Sequence, residues 1–162
     1  MIHTTFEPIG IIHSPCKEAK NTPIQAAAAQ NAEGRVEVFE QYTDGLMDLE
    51  GFSHIILIYH FHLCRNPKLK VIPFLDKEEH GIFATRAACR PNPVGLSVVR
   101  LNGIEDNILH VNGLDIIDGT PLLDIKPYVP EFDHVKAGKI GWLKGNTGRL
   151  HETLDDGRFI DG

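Results

Sequence analysis

Two arginines lie in a segment that two prolines hold stiff. Residues 81–97 read GIFATRAACRPNPVGLS, and each proline fixes its own φ at about −65° and pushes the preceding residue towards an extended conformation. Gly95 lets the chain turn or approach a neighbour closely. A stiff loop carrying Arg86, Arg90 and the amide of Asn92 can hold a carboxylate or a phosphate at little ordering cost. We therefore predict an anion-binding loop here, with a purely structural turn as the alternative.

A second segment combines a tight turn with acidic residues. Residues 114–128 read LDIIDGTPLLDIKPY, and the DGTP sequence that begins at Asp118 has the composition of a turn. Asp118 either contacts a ligand or caps this turn through its own backbone. Asp124 alternates with apolar neighbours, and Lys126 on the same strand face is suited to pair with it.

Two histidines are two residues apart, which is the repeat of a strand. His60 and His62 would project from the same face of a strand, which is a spacing that metal sites use. Glu78, Glu79 and His80 are the candidates for further ligands. We expect no metal here, and instead a structural histidine or one that contacts a ligand.

The elements that must position these residues are strands. Glu105–Asn107 is a good hairpin connection, and helical signals are confined to Gln25–Asn31 and Thr43–Leu49. No glycine-rich βαβ nucleotide-binding unit is present. The pattern predicts a mainly β fold, a small single β-barrel with long loops and few short helices. Apolar or alternating runs predict strands at Phe6–His13, Arg35–Phe39, His54–His62, Leu96–Ile104, Ile108–Ile117 and Leu122–Ile125.

Long connections interrupt these strands. Pro15–Glu33 and Asn66–His80 exceed the length of ordinary loops, which favours a functional role for them. We predict a barrel domain over residues 1–143 and a polar, glycine-rich and acidic tail over residues 144–162.

Composition limits the function classes. The 162 residues suffice for one domain, and 42% of them are hydrophobic. The sequence has neither a long apolar run nor a secretory signal, so we expect a cytoplasmic protein without a membrane partner. A net charge of −6 argues against general DNA binding, although local basic clusters occur. Three widely spaced cysteines predict neither a disulfide framework nor a zinc site.

Two long motifs carry a family resemblance. The runs ATR-x3-RPNP-x-GLS and DGTPLLDIKPY-x-P, together with IGIIHSP at residues 9–15 and PIQ at residues 23–25, resemble the TsaA-like (TrmO) family from about Ile9 to Asp133. The resemblance implies a single β-barrel that binds S-adenosyl-L-methionine in loops outside the barrel. It also implies a homodimer with the cofactor near the subunit interface, in a short form without the extra C-terminal domain of longer members.

The resemblance also implies a cofactor site. Arg86 would pair with the methionine carboxylate, and Asp118 would lie beside a ribose hydroxyl or the sulfonium. The implied cofactor-binding residues are Pro23, Ile24, Gln25, Phe61, His62, Arg86, Leu96, Ile116, Ile117, Asp118 and Gly119.

The implied reaction is methylation of the exocyclic nitrogen of threonylcarbamoyladenosine in tRNA, next to the anticodon. Candidates for the catalytic base are His62, Asp118 and Tyr128. We expect Arg90, Asn92 and Lys126 to contact the tRNA substrate. The alternatives are a non-catalytic S-adenosylmethionine-binding sensor or partner module, and a metal-dependent barrel enzyme.

Overall fold

Six antiparallel strands close into a barrel. The computed structural model describes residues 2–18, 20, 22, 24 and 32–159. Within these ranges the mainly β, single-barrel prediction is confirmed. The strands are β1 (Gly10–His13), β2 (Glu33–Val38), β3 (His54–His60), β4 (Lys70–Val71), β5 (His80–Gly81), β6 (Val94–Glu105), β7 (Ile108–Asn112) and β8 (Thr120–Pro127). The barrel order is β1-β2-β7-β6-β3-β8, and β4 and β5 form a separate pair.

A strict alternation of side chains fills the barrel. Successive residues of β6 are exposed and buried in turn, because neighbouring side chains of a strand point to opposite faces. Each fully buried aliphatic side chain stabilises the fold by about 1.5–3 kcal/mol relative to an exposed one. The barrel core contains Ile12, Val36, Val38, Ile55, Leu57, Tyr59, Val99, Leu101, Leu109, Val111, Leu114, Ile116 and Leu122.

The strand ends differ from the predicted ones where the backbone leaves the ladder. β7 stops at Asn112 rather than at Ile117, because Gly113 adopts a left-handed φ of 93°. β1 starts at Gly10 rather than at Phe6. The predicted hairpin between β6 and β7 is confirmed, and Asp106 takes the positive φ of 54° that such a turn requires.

Helices are short. Among the described residues, one α-helix, α1, covers Pro130–Asp133, and 3₁₀ helices cover Glu40–Leu46, Leu49–Gly51, Ile82–Ala84, Gly141–Leu143 and Thr147–Glu152. The predicted helical turns at Thr43–Leu49 are therefore 3₁₀ and begin after Phe39. The predicted helix at Gln25–Asn31 lies outside the described residues. No helix in the described ranges is long and apolar enough to span a bilayer.

A second, smaller cluster lies beside the barrel. Phe159 is buried there against Val71, Ile82 and Cys89. Trp142 stacks on His80 at a centroid distance of 4.7 Å, and its indole Nε1 donates to the carbonyl of Ala84 at 2.8 Å. The segment beyond residue 140 is thereby held against the loop at residues 82–93, between β5 and β6, which carries Arg86 and Arg90 and is called the arginine loop.

A disulfide joins two loops. Cys64 follows β3, Cys89 lies in the arginine loop, and their Cα atoms are 5.3 Å apart. The expectation of no disulfide is therefore wrong for this pair. The spacing along the sequence did not reveal it, because the contact forms only when the two loops meet at one end of the barrel.

Candidate functional site

A cavity of about 400 Å³ opens where β3 ends and β6 begins. Its wall combines apolar, aromatic and charged side chains from six parts of the chain. The lining residues are Thr22, Ile24, Tyr59, Phe61, His62, Leu63, Cys64, Phe74, Thr85, Arg86, Ala87, Ala88, Arg90, Val94, Gly95, Leu96, Asp115, Ile116, Ile117, Thr120, Asp155 and Phe159.

The arginine loop is held by its own polar groups. The hydroxyl of Thr85 donates to the carbonyl of Ile82 at 2.9 Å and accepts the amide of Ala87 at 3.3 Å. Nη1 of Arg90 donates to the carbonyls of Thr85 and Ala87, each at 3.1 Å. Arg90 therefore braces the loop, whereas Arg86 is exposed at the cavity wall.

The end of β3 turns into the cavity. The amide of Phe61 donates to the carbonyl of Pro93 at 2.7 Å, and the amide of His62 donates to the carbonyl of His60 at 2.8 Å. Partial burial lowers the pKa of His62 below its ordinary value, so its imidazole is neutral at pH 7. β3 ends at His60, so the two histidines do not share one strand face as the spacing predicted. No group of three or more potential metal ligands assembles within the described ranges.

A hydrogen-bonded chain crosses the bottom of the cavity. The hydroxyl of Ser97 donates to Oδ1 of Asp115 at 2.6 Å, and the hydroxyls of Tyr59 and Ser97 are 3.0 Å apart. No sequence motif predicted this group. Strand alternation was the available signal, because Tyr59 and Ser97 fall on inward positions of paired strands.

The Asp118–Gly119 corner lies against β1. Oδ1 of Asp118 accepts the amide of Ser14 at 2.9 Å, and Oδ2 accepts Nζ of Lys17 at 2.6 Å. The hydrogen bond from Lys17 is the main reason why the pKa of Asp118 lies below its ordinary value. Gly119 occupies the left-handed region at φ 79°. Both residues lie just outside the lining, next to Ile117.

The C-terminal segment adds a second carboxylate. The amide of Asp155 donates to the carbonyl of Thr22 at 2.9 Å, which fixes this segment across the cavity. Burial raises the pKa of the Asp155 carboxyl. Asp155 and Phe159 line the cavity although both belong to the predicted polar tail at residues 144–162, where no site residue was expected.

Comparison with known proteins gives the family. The profile of the family described as tRNA-methyltransferase O N-terminal domain matches residues 11–134. The chain belongs to the TrmO family. The resemblance that the two sequence motifs indicated is thereby confirmed.

Two TrmO-family relatives show the range of similarity. The chain is 59% identical over 155 residues to a protein of Pyrococcus abyssi named as a probable S-adenosyl-L-methionine-binding protein, which covers 96% of this chain and 84% of the relative. It is 37% identical over 135 residues to the tRNA (adenine(37)-N6)-methyltransferase of Escherichia coli, which covers 77% of this chain and 57% of that enzyme.

A solved structure has the same fold. The crystal structure of TrmO from Pseudomonas aeruginosa superposes with a TM-score of 0.73 at 38% identity, covering 87% of this chain and 63% of that one. The chain thus spans somewhat less than two thirds of the length of the methyltransferase relatives that it matches.

The cavity of this TrmO-family chain collects most of the predicted site residues. Pro23 and Gln25 lie outside the described residues. Asp118 and Gly119 lie beside the cavity, as described above. The predicted residues that line it are Ile24, Phe61, His62, Arg86, Arg90, Leu96, Ile116 and Ile117.

Three predicted residues lie elsewhere. The amide of Tyr128 donates to the carbonyl of His54 at the start of β3, about 20 Å from the end of that strand that reaches the cavity. Lys126 lies on the same distant part of the sheet and pairs with Asp124 at 2.8 Å. Asn92 is exposed on the arginine loop. The structure does not bring Tyr128 or Lys126 to the cavity of the same chain, because β8 runs away from it.

Proposed function

We propose that the chain binds S-adenosyl-L-methionine in this cavity and transfers its methyl group to the exocyclic nitrogen of threonylcarbamoyladenosine in tRNA, next to the anticodon. One observation carries the proposal. In a TrmO-family chain, one cavity unites the arginine loop, the end of β3 and the segment before β8.

The lining fits this cofactor. A volume of about 400 Å³ lies within the usual range for small-molecule sites. Phe61, Leu96, Ile116 and Ile117 offer apolar surface for a nucleoside. Charged groups of both signs suit a ligand that carries a carboxylate, an ammonium and a sulfonium, since each ionic group needs an opposite partner when it leaves water.

The residues of the chain have three tasks in this reaction. When bound, the cofactor supplies an electrophilic methyl group on a sulfonium. Arg86 binds the carboxylate at the methionine end, and the aromatic and aliphatic wall excludes water. Alignment of the reacting atoms is the third task, and such alignment lowers the activation free energy by up to about 7–11 kcal/mol.

We propose His62 as the base that accepts the proton of the target nitrogen. It lines the cavity, and its lowered pKa keeps the imidazole unprotonated at neutral pH. Asp118 is less suited to this task because Lys17 and the amide of Ser14 already hold both of its oxygens. Tyr128 lies at the far end of β3.

We propose that tRNA approaches across the arginine loop. Arg90 lies at the cavity wall, and Asn92 is exposed three residues before Gly95, so both lie near the cavity mouth. Lys126 is exposed farther along the barrel, where only a large ligand such as tRNA reaches it together with the loop. Phosphate contacts of this kind set affinity and make it dependent on salt.

We also propose a homodimer formed through the outer face of β3 and β6. Leu96, Val94 and Val98 on β6 are 56%, 40% and 36% exposed, and Ile58 and Ile56 lie opposite Leu96 and Val98 on the neighbouring strand. Contiguous apolar surface of this kind is typical of an interface. Leu96 also lines the cavity, so a second copy on this face would border the cofactor site.

The test combines binding with turnover. Isothermal titration calorimetry with S-adenosyl-L-methionine measures binding to the purified chain. Transfer of a labelled methyl group to tRNA from a strain that lacks this modification measures the activity, and nucleoside mass spectrometry identifies the product. Binding without transfer to such tRNA, in the presence or absence of a cell extract, would refute the enzymatic part of the proposal.

The second candidate function is a non-catalytic S-adenosylmethionine-binding module. The name of the Pyrococcus abyssi relative, at 59% identity, favours it, because that name states binding and no reaction. The two functions differ in turnover alone, so the methyl-transfer assay separates them.

A further inference from the structure

The hydrogen-bonded chain at the bottom of the cavity has a fixed direction. An ionised carboxylate only accepts hydrogen bonds, so the proton of the Ser97 hydroxyl points to Asp115. The Ser97 oxygen then accepts from Tyr59, whose hydroxyl is the remaining donor. Ser97 and Tyr59 are 2% and 4% exposed, so this order is held in a site shielded from water. The result is one carboxylate oxygen held in place at the cavity wall.

A positive charge accompanies this carboxylate. Burial is the main cause that raises the pKa of Tyr59 well above its ordinary value, and the charge of Asp115 raises it further. The hydrogen bond with Ser97 and, to a smaller extent, the charge of Arg86 oppose this rise. The phenol therefore stays protonated as a donor. Arg86 and Asp115 both line the cavity, and both charges act on the Tyr59 hydroxyl, so the two groups belong to the same end of the cavity.

A cation and an anion that line one cavity match a zwitterion. An α-amino acid carries its carboxylate and its ammonium on one carbon, so a protein recognises it with a guanidinium and a carboxylate close together. We propose that Asp115 binds the α-ammonium group at the methionine end of S-adenosyl-L-methionine, while Ser97 and Tyr59 act as positioning residues for its carboxylate. This assignment deepens the proposed function and rests on it.

Three related ligands test the assignment. S-adenosyl-L-methionine and S-adenosyl-L-homocysteine both carry the ammonium, the latter has no sulfonium, and 5′-methylthioadenosine lacks the whole amino-acid part. We expect Asp115→Asn to weaken binding of the first two ligands by the same factor, about 10- to 100-fold, since an interaction with a charged group is lost. Binding of methylthioadenosine should stay at the wild-type value.

Control variants separate recognition from folding. Glu105→Gln removes the same charge from the exposed end of β6 and should change none of the three affinities. The double variant Tyr59→Phe with Ser97→Ala removes both hydroxyls without leaving an unpaired donor. It should weaken the two amino-acid ligands less than Asp115→Asn does, and spare methylthioadenosine. The thermal unfolding midpoint of each variant is measured to check that the variant is folded.

The possible outcomes are distinct. A loss confined to S-adenosyl-L-methionine would overturn the assignment, because Asp115 would then recognise the sulfonium. Equal losses of affinity for all three ligands would overturn the assignment, because Asp115 would then only shape the cavity. No loss of affinity for any ligand would also overturn it. If the wild-type chain binds these ligands with the expected pattern but transfers no methyl group, the assignment stands and only the enzymatic proposal fails.

Discussion

Gly95 on β6 lies so close to the ring of Tyr59 on β3 that a Cβ atom added to it would be 2.3 Å from the ring carbon Cε2. The same atom would be 2.8 Å from the ring of Phe61. Real side chains do not approach this closely, so the glycine allows the two aromatic rings to form the cavity wall. The sequence predicted a close approach at Gly95, and the groups that approach it are the rings of Tyr59 and Phe61.

Gly95→Ala should therefore damage the fold and the cavity together. The added methyl group must displace an aromatic ring or the strand, and overpacking of this kind costs about 1–3 kcal/mol in the free energy of unfolding. Urea unfolding measures that loss, and calorimetry with S-adenosyl-L-methionine should show weaker binding. Gly103→Ala on the same strand is the matched control, because nothing lies within 4 Å of its added Cβ. Equal behaviour of the two variants would contradict the packing argument.

The two arginines of the loop should differ in what their loss changes. Arg86→Ala removes an exposed charge at the cavity wall and should weaken S-adenosyl-L-methionine binding by about 10- to 100-fold. Arg90→Ala also removes two hydrogen bonds that brace the loop, so it should lower the unfolding free energy by about 1–3 kcal/mol as well as tRNA methylation. Arg100→Ala, exposed farther along β6, is the control for charge. Unchanged cofactor affinity in the Arg86 variant would refute its role.

Asp118 should prove more important for the fold than for the reaction. Asp118→Ala leaves the Ser14 amide without its acceptor and should cost about 1–3 kcal/mol in the free energy of unfolding. Asp118→Asn keeps an oxygen for Ser14 and loses only the exposed pair with Lys17, which is worth less than about 1 kcal/mol. The Asn variant should therefore retain most methyl transfer. Loss of turnover in a well-folded Asn variant would restore Asp118 as a base.

Protonation of Asp118 makes the free energy of unfolding depend on pH. Its pKa in the folded chain lies below the ordinary 3.8, with the Lys17 hydrogen bond as the main cause. The stabilisation by Asp118 is thus fully present above pH 4 or so and disappears as the pH falls through the folded-state pKa. Urea unfolding between pH 2 and 5 or so should show this loss in the wild type and a smaller one in Asp118→Asn.

The disulfide between Cys64 and Cys89 should hold the arginine loop to the end of β3. Its loss should destabilise the chain by about 3 kcal/mol, since the bond closes a loop with a sequence separation of 25. Thiol titration in denaturant should find one reactive thiol, that of Cys16, without reductant and three after reduction. The paired variant Cys64→Ser with Cys89→Ser should reproduce the reduced protein. Three thiols before reduction would contradict the bond.

Local patterns explain how much of this fold the sequence could predict. Alternation placed Val36 and Val38 on one face, and both are buried. The prolines and the two arginines predicted a functional loop, and residues of this loop line the cavity. These features depend on neighbours in the chain, so a single sequence displays them.

The missing parts depend on contacts between distant segments. Gly113 ends β7 because its backbone adopts a positive φ, whereas the apolar run continues without interruption. Asp115 became visible as a site residue only when Ser97 was placed opposite it by the barrel. Asp155 reaches the cavity through its contact with Thr22, more than 130 residues earlier. No local signal in a polar, glycine-rich segment indicates such a partner.

His62 should set the acid limb of the pH–rate profile. Burial, the main cause of its lowered pKa, disfavours the imidazolium, so the neutral base persists below the ordinary value of 6.5. The rate of methyl transfer should stay level as the pH is lowered to about 6.5 and decline only below it. The unfolded chain binds this proton at a higher pH than the native one. Stability should therefore also decrease from pH 6.5 down to the folded-state pKa and then level off.

Substitution of the base isolates its contribution. His62→Gln keeps a polar side chain of similar size but accepts no proton, so kcat should fall about 10²- to 10⁴-fold and the acid limb should vanish. Binding of S-adenosyl-L-methionine, measured by calorimetry, should change far less than kcat. His54→Gln is the matched control, because this exposed histidine starts β3, outside the cavity lining, and should keep the wild-type profile. A His62 variant with an intact rate and acid limb would exclude this residue, and Asp155, the half-buried carboxyl with a raised pKa, would become the next base to test.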